Sequence, residues 1–168
     1  MVGKHVSLWL YARGYAARDL PYQLWRLIED AGDWDSILVD EETKDTRIPT
    51  FGDLTHWMAF MADKTFLLIV DNISGDICGL GWFSDRRGSC ALTSIWMVPA
   101  YRGRAHSREA VELGVQFGYK ELGLTTIQSI TRWPVARNLA RRAGFEVVCR
   151  IPKHFGADVW LLEHKKEF

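Results

Sequence analysis

The sequence predicts a single α/β (α+β) domain over residues 1–168, with a central mixed, mostly antiparallel sheet of six to seven strands and about four flanking helices. Three observations predict it. Short strand-forming runs bounded by turn residues fill the middle of the chain, a long amphipathic pattern follows a proline stop, and β-branched segments then alternate with helical ones. With 168 residues, 48% hydrophobic and 12% aromatic, the chain can bury one substantial core and is too short for two ordinary domains.

The elements follow in order. His5 to Tyr11 is rich in strand formers and ends at Arg13-Gly14. Pro21 opens a helix in which Leu24, Leu27 and Ile28 share one face, and Gly32 terminates it. Residues 29 to 47 carry eight acidic side chains among few apolar ones and read as a surface loop or lid, with Glu41 and Glu42 able to attract a cationic acceptor or simply to solvate the loop. Thr50 with Asp53 three residues on reads as a helix start, followed by Leu54, Trp57, Met58 and Met61 at helical spacing.

Thr65 to Asp71 and Ile77 to Phe83 are strands joined by the Gly-containing turn Asn72 to Asp76. Asp85 to Ser89 turns into the strand Cys90 to Val98, which Pro99 stops because proline cannot donate to a ladder. The apolar set Ala110, Val111, Gly114, Val115, Phe117, Gly118 and Leu122 marks a long helix ended by Gly123. The strand Leu124 to Thr131 follows, so strand, crossover helix and strand predict a parallel pair. Pro134 starts another helix with Gly144 at its C-cap, and 145–152 and 157–164 are two closing strands.

Formal net charge is zero, which removes any global electrostatic case for a nucleic-acid partner. The halves differ, however. Residues 1–84 hold 13 acidic and 7 basic side chains (net −6), and residues 85–168 hold 8 and 14 (net +6). This suits an anionic ligand for the second half and a cationic one for the first, or two solvated faces that attract each other. Cys78, Cys90 and Cys149 form no CxxC pair and have no His at ligand spacing, so reduced cysteines and no metal are expected. The N-terminal apolar run is too short for a signal peptide and no 18-residue apolar stretch exists to span a bilayer, which predicts a cytoplasmic protein without a membrane partner.

The chemistry concentrates in Val98 to Ser107, between a strand and a long helix. A helix's first turn has backbone N–H groups without intrahelical partners and a partial positive charge, so it favours an anion. Small residues at Gly103, Ala105 and Ser107 let a ligand approach the backbone, and Arg102 and Arg104 add charge-assisted hydrogen bonds to phosphate. A pyrophosphate is the natural guest; the plain alternative is a solvated turn capped by Ser107. No G-x-x-x-x-G-K-[ST] or strand-linked G-x-G-x-x-G occurs, against nucleoside triphosphates and dinucleotides.

Arg102-Gly103-Arg104-Ala105-His106-Ser107 resembles the Arg/Gln-x-x-Gly-x-Gly/Ala pattern of the GNAT acyltransferases, with Ala105 and Ser107 at positions where Gly, or Gly and Ala, are usual. Ala136-x-x-Leu139-x-x-x-x-Gly144-Phe145 is similar to that family's helix ending in Gly-Phe. The resemblance covers about two thirds of the chain, from Thr65 onward. It implies acetyl-CoA as cosubstrate, its pyrophosphate on the amides of Arg102, Gly103, Arg104, Ala105, His106 and Ser107, and its pantetheine arm along Ile95, Trp96, Met97 and Val98. It places the thioester in a notch between Trp96 and residues 129–131, with the amide of Met97 or Val98 as oxyanion donor. Some of the basic group Arg132, Arg137, Arg141, Arg142 and Arg150, Arg137 among them, could meet the adenosine 3′-phosphate; the competing reading is an RNA- or DNA-facing stripe, against which no aromatic residues interleave with Arg137, Arg141 and Arg142.

The implied activity is acetyl transfer to a primary amine of a protein or small molecule. Three departures bear on it. Ala140 stands where many relatives have a Tyr that protonates the thiolate, Cys90 to Val98 contains no carboxylate base, and Trp133 stands where relatives have Asn. No catalytic side chain is therefore assigned: His56, Tyr101, His106 and Tyr119 each have a blander reading as surface or core residues. The departures keep open a second expectation, a non-catalytic GNAT-fold binding or assembly protein. Thr125 to Ile127 and Arg132 to Arg137 resemble phage-type members associated with head assembly, which would place it in host cytoplasm or virion; a homo-oligomer is compatible with either.

Overall fold

The computed structural model of the chain describes residues 1–11, 20–33, 64–154 and 157–167. Seven strands form one sheet: β1 (Val6–Leu10), β2 (Thr65–Asp71), β3 (Ile77–Arg87), β4 (Cys90–Met97), β5 (Thr126–Thr131), β6 (Glu146–His154) and β7 (Ala157–Lys165). Three helices accompany them among the described residues: α1 (Leu20–Ala31), α2 (Ala105–Lys120) and α3 (Pro134–Arg142). The predicted helix beginning at Thr50, with His56, and the acidic loop from residue 34 onward, with Glu41 and Glu42, lie outside the described residues.

Spatial order in the sheet is β1-β2-β3-β4-β5-β7-β6. The first four strands form an antiparallel run, β4 and β5 are parallel, and β7 is antiparallel to both β5 and β6. The single parallel pair follows from the α2 crossover, since a strand that returns through a helix enters from the same end. Several strand boundaries differ from expectation by one or two residues, and one differs by more. The turn predicted at Asp85 to Ser89 is shorter, because β3 runs on to Arg87 through an irregularity at Ser84 to Arg87 where Asp85 takes φ 49°.

The sheet has a core on each face. α2 covers one, where Ala110, Leu113, Val115 and Phe117 bury against Val6, Leu67, Ile69, Met97 and Ile127. On the other, Leu24 and Ile28 of α1 are fully buried against Phe66, Leu80, Trp82 and Trp96. Burying each such side chain is worth about 1.5–3 kcal/mol. Alternation along β4 therefore sends Ile95 and Met97 toward α2 and Trp96 toward α1.

Two polar contacts fix the start of α2. The Glu109 carboxylate accepts the backbone N–H groups of Lys4 (2.6 Å), His5 (2.6 Å) and Val6 (2.9 Å), tying the helix to the strand before β2. His106 Nε2 lies 3.0 Å from Asp71 Oδ1 at the end of β2, and the imidazole packs beside His5 and Tyr101. Asp71 also accepts the Ser74 N–H, foremost among the causes holding its carboxyl below the usual range. For Glu109, burial pushes the carboxyl up, but the three backbone N–H bonds outweigh it and the net direction is down.

At the far end of α3, the Gly-Phe pair has a steric explanation. Gly144 takes φ 93°, and a Cβ there would lie 2.9 Å from His164 Nε2. Phe145 is buried with its ring edge-on to His164, whose Nδ1 is 2.5 Å from the Tyr119 hydroxyl. Burial pushes the Tyr119 phenol up to about 12, consistent with a packing role.

Glu109→Ala is expected to destabilise the fold by about 1–3 kcal/mol, because it leaves backbone donors without acceptors, and urea denaturation will measure it. Both Glu109 and Asp71 have folded-state pKa values below their unfolded ones. Their contributions are complete above the unfolded carboxyl pKa of about 4 and fade as pH falls through the folded values. The acid limb of the stability profile should accordingly flatten in the double variant Glu109→Gln, Asp71→Asn.

Candidate functional site

The site begins where β4 and β5 part. The two strands pair at Cys90 with Thr126, Ala91 with Ile127 and Leu92 with Gln128, and at no later position, although β4 continues to Met97 and β5 to Thr131. The Val98 N–H donates to Cys78 O at 2.9 Å, toward β3. Antiparallel ladders alternate their hydrogen-bonding direction. The N–H and C=O of Ile95 and Met97 therefore face the gap, while those of Trp96 face β3. The open edge of β4 is a row of backbone donors and acceptors lying between two strand ends.

Directly beyond it, Pro99–Tyr101 makes one 3-10 turn and Arg104 is the N-cap of α2. Gly103 takes φ 68°, a conformation that favours glycine, and nothing lies within 4 Å of where its Cβ would be. No side chain caps α2. Ser107, the expected cap, is instead buried, and its hydroxyl donates to Tyr101 O at 3.2 Å. The helix thus presents first-turn amides and the positive end of its dipole beside the strand gap.

The candidate residues divide by what they do there. Gly103, Arg104 and Ala105 are exposed on the turn. His106, expected in the solvent-facing or phosphate-facing turn, points inward to Asp71, and its Nδ1 is buried without a hydrogen-bond partner. Arg102, expected to reach outward, folds back: its Nε donates to Met97 O at 2.9 Å and its Nη2 is paired with Asp33 Oδ2. Asp33 Oδ2 also accepts the Trp96 indole N–H at 2.7 Å. Sequence reasoning missed Asp33, since nothing in the chain's pattern links it to residues 63 and 69 positions later.

The basic group near α3 is less uniform than its sequence suggests. Arg137 lies over the Trp160 ring at 4.3 Å, with its Nε buried and without a hydrogen-bond partner. Arg132 lies over Trp133 at 4.6 Å, whereas Arg150 is paired with Asp158. Arg141 and Arg142 line an open depression of about 760 Å³ with Gly144, Phe145 and Val147. That depression adjoins the start of β6, whose Glu146 is in register with Glu163 and, through it, Gln128, so it flanks the paired part of β5 rather than the gap. Among the described residues no three His, Cys, Asp or Glu side chains converge as a metal site requires, and no helix is long and apolar enough to cross a membrane.

Ala140 is half-buried and packs on the α2-side core. No carboxylate or phenol stands at that position. Trp133 and Val135, at the start of α3, are exposed.

No protein-family model matches this sequence, and no curated protein matches it. Solved structures do match in shape. A spermidine N-acetyltransferase from Vibrio cholerae in complex with CoA and spermine superposes with a TM-score of 0.71 at 16% identity, covering 96% of this chain and 95% of that one. The Vibrio cholerae spermidine/spermine N-acetyltransferase in complex with manganese ions gives 0.67 at 18% identity, covering 96% and 92%. A dodecameric structure of the Vibrio cholerae enzyme in an intermediate state gives 0.67 at 16% identity, covering 96% and 94%. The chain has the GNAT acyltransferase fold. The expected sheet of six to seven strands is the seven-stranded one observed.

Gly144→Ala should cost about 1–3 kcal/mol, from the left-handed backbone and the contact with His164 together, as read from the melting transition.

Proposed function

We propose that this chain is an acetyl-CoA-dependent N-acetyltransferase whose acceptor is a primary amine of a small cationic molecule of the polyamine class. The observation that carries the reading is the open edge of β4: the Ile95 and Met97 backbone groups face a gap that leads straight to the uncapped N-terminus of α2. An extended amide-bearing arm that ends in a pyrophosphate fits both parts at once. The spermidine acetyltransferases of the same fold support the amine class.

In this reading Ile95 and Met97 hold the pantetheine amides, and the first-turn amides of α2 with Gly103 hold the pyrophosphate. Arg104, exposed beside them, supplies countercharge. Arg137 suits the adenosine 3′-phosphate, because its guanidinium is fixed against Trp160 and its buried Nε has no partner in the protein. The Met97 N–H is the oxyanion donor, since Val98 has already spent its own on Cys78. The neutral amine attacks the thioester carbonyl carbon, the C–S bond breaks, and the proton lost by nitrogen ends on the thiolate or on water.

Absence of a Tyr at Ala140 is tolerable chemically. A thiol with a pKa of about 8.5 leaves as thiolate far more easily than an amine leaves, so a positioned acid is an advantage of about 10²–10⁴ rather than a requirement. Orientation in the gap supplies much of the rest. The second reading, a non-catalytic GNAT-fold binding or assembly protein, is favoured by the same absent Tyr and by the lack of any carboxylate in β4.

Calorimetry with acetyl-CoA tests the proposal. Arg104→Glu, which puts negative charge beside the pyrophosphate, should weaken binding at least about tenfold, or 1.4 kcal/mol, in a protein that melts like wild type. The wild type should release free thiol from acetyl-CoA when spermidine is added. Coenzyme binding without thiol release with any amine would favour the second reading, and a folded wild type that binds no acetyl-CoA would sink the transferase assignment.

A further inference from the structure

Behind Gly144, at the end of α3, lies a hydrogen-bond donor that no described residue uses. The Tyr119 hydroxyl is 2.5 Å from His164 Nδ1, and the hydroxyl is the donor of that pair: burial pushes the phenol up to about 12, so it keeps its proton, and among the described residues that proton has no other acceptor. With Nδ1 taken as acceptor, the neutral imidazole carries its own proton on Nε2. Nε2 meets no polar partner among the described residues and stands 2.9 Å from where a Cβ of Gly144 would be.

Gly144 and Phe145 form one side of the open depression of about 760 Å³, and Asn138, Arg141, Arg142 and Val147 form the rest of its lining. The positive charge there is uncompensated. Arg26, Arg102, Arg108 and Arg150 each pair with a carboxylate, whereas Arg141 and Arg142 are exposed and pair with none among the described residues. Glu146 does not neutralise them: it is in register with Glu163, so its side chain shares the sheet face of Glu163, Gln128 and Lys165, opposite to that of His164. A bare helix C-terminus would repel an anion. At α3, however, the carbonyls of Leu139, Ala140 and Arg141 already accept the N–H groups of Ala143, Gly144 and Phe145.

We propose that this depression binds a phosphate monoester of a small molecule, with His164 Nε2–H as its directional donor and Arg141 and Arg142 as its countercharge. The site is separate from the strand gap, because His164 is in register with Ile127, within the paired part of β5, and it does not depend on the transferase reading. A phosphate has three free oxygens for the imidazole and the two guanidinium groups, whereas a carboxylate has two. Val147, 43% exposed on the same side of the sheet, offers an apolar surface to the organic part of the ligand, and the volume suits one small molecule. Tyr119 does not touch the ligand. It is a positioning residue, since without its hydroxyl the imidazole proton is divided between the two nitrogens and Nε2 is a donor for only part of the time.

Titration with phenyl phosphate, followed by NMR at the His164 ring and the Gly144 amide, tests this. Both resonances should shift saturably, and the double variant Arg141→Gln, Arg142→Gln should bind at least about tenfold more weakly. Tyr119→Phe should weaken binding on the order of threefold although it removes no ligand contact, a loss that loose attraction to surface arginines would not produce. Saturating CoA should leave the titration unchanged, and benzoate should bind more weakly than phenyl phosphate. Should Tyr119→Phe not fold, the ring nitrogen shifts of wild-type His164 read the tautomer directly, and the proton should be on Nε2. Absence of shifts at His164 and Gly144, a proton on Nδ1, or undiminished binding in a folded Tyr119→Phe would overturn the inference. Displacement of phenyl phosphate by CoA would assign the depression to the coenzyme instead, and equal binding of benzoate would overturn the phosphate class.

Discussion

Everything at the site depends on a parallel ladder that stops after three residue pairs. Cys90 to Leu92 lie against Thr126 to Gln128, and then the strands diverge. A sheet normally hides the polar edges of its strands by pairing them, and an unpaired interior edge leaves backbone donors and acceptors unsatisfied. Here that cost is localised at Ile95 and at the Met97 N–H, the Met97 carbonyl being met by Arg102, beside the N-terminus of α2, which has unsatisfied donors of its own. Two deficits of hydrogen bonding meet at one place, and together they define the kind of molecule that can fill them.

The rest of the fold keeps those two deficits in register. α2 would be free to slide along the sheet if only apolar contacts held it, because hydrophobic burial is not directional. Glu109 fixes its position through three backbone N–H groups, and His106 adds a contact to the end of β2. Both side chains belong to the first turns of the same helix, so the anion-binding end is the end that is anchored. Trp96 and Arg102 do the equivalent on the other face by holding Asp33.

Much of the architecture was legible in the sequence because it is written in short-range signals. The hairpins, the proline stop at Pro99, the α2 periodicity and Gly144-Phe145 all act within a few residues of themselves. The junction of a strand end with the start of a long helix was legible for the same reason. What was not legible was side-chain direction in the loop. Arg102, Ser107 and His106 read as ligand-facing or solvent-facing residues, yet each is drawn inward by a partner, Asp33, Tyr101 O or Asp71, that the loop's own sequence does not announce. The role of Glu109 is invisible to local reading in the same way, since its partners are main-chain groups more than a hundred positions away.

The position of β7 has a consequence for how the molecule is made. It is the last strand in sequence, but it lies between β5 and β6 and pairs with both. During synthesis the ribosome delivers β1 to β6 first, and until Ala157–Lys165 emerges the inner edges of β5 and β6 have no partner to zip onto. Completion of the sheet therefore waits on β7, and that interval is when the unpaired inner edges of β5 and β6 are most exposed to pairing with a neighbour.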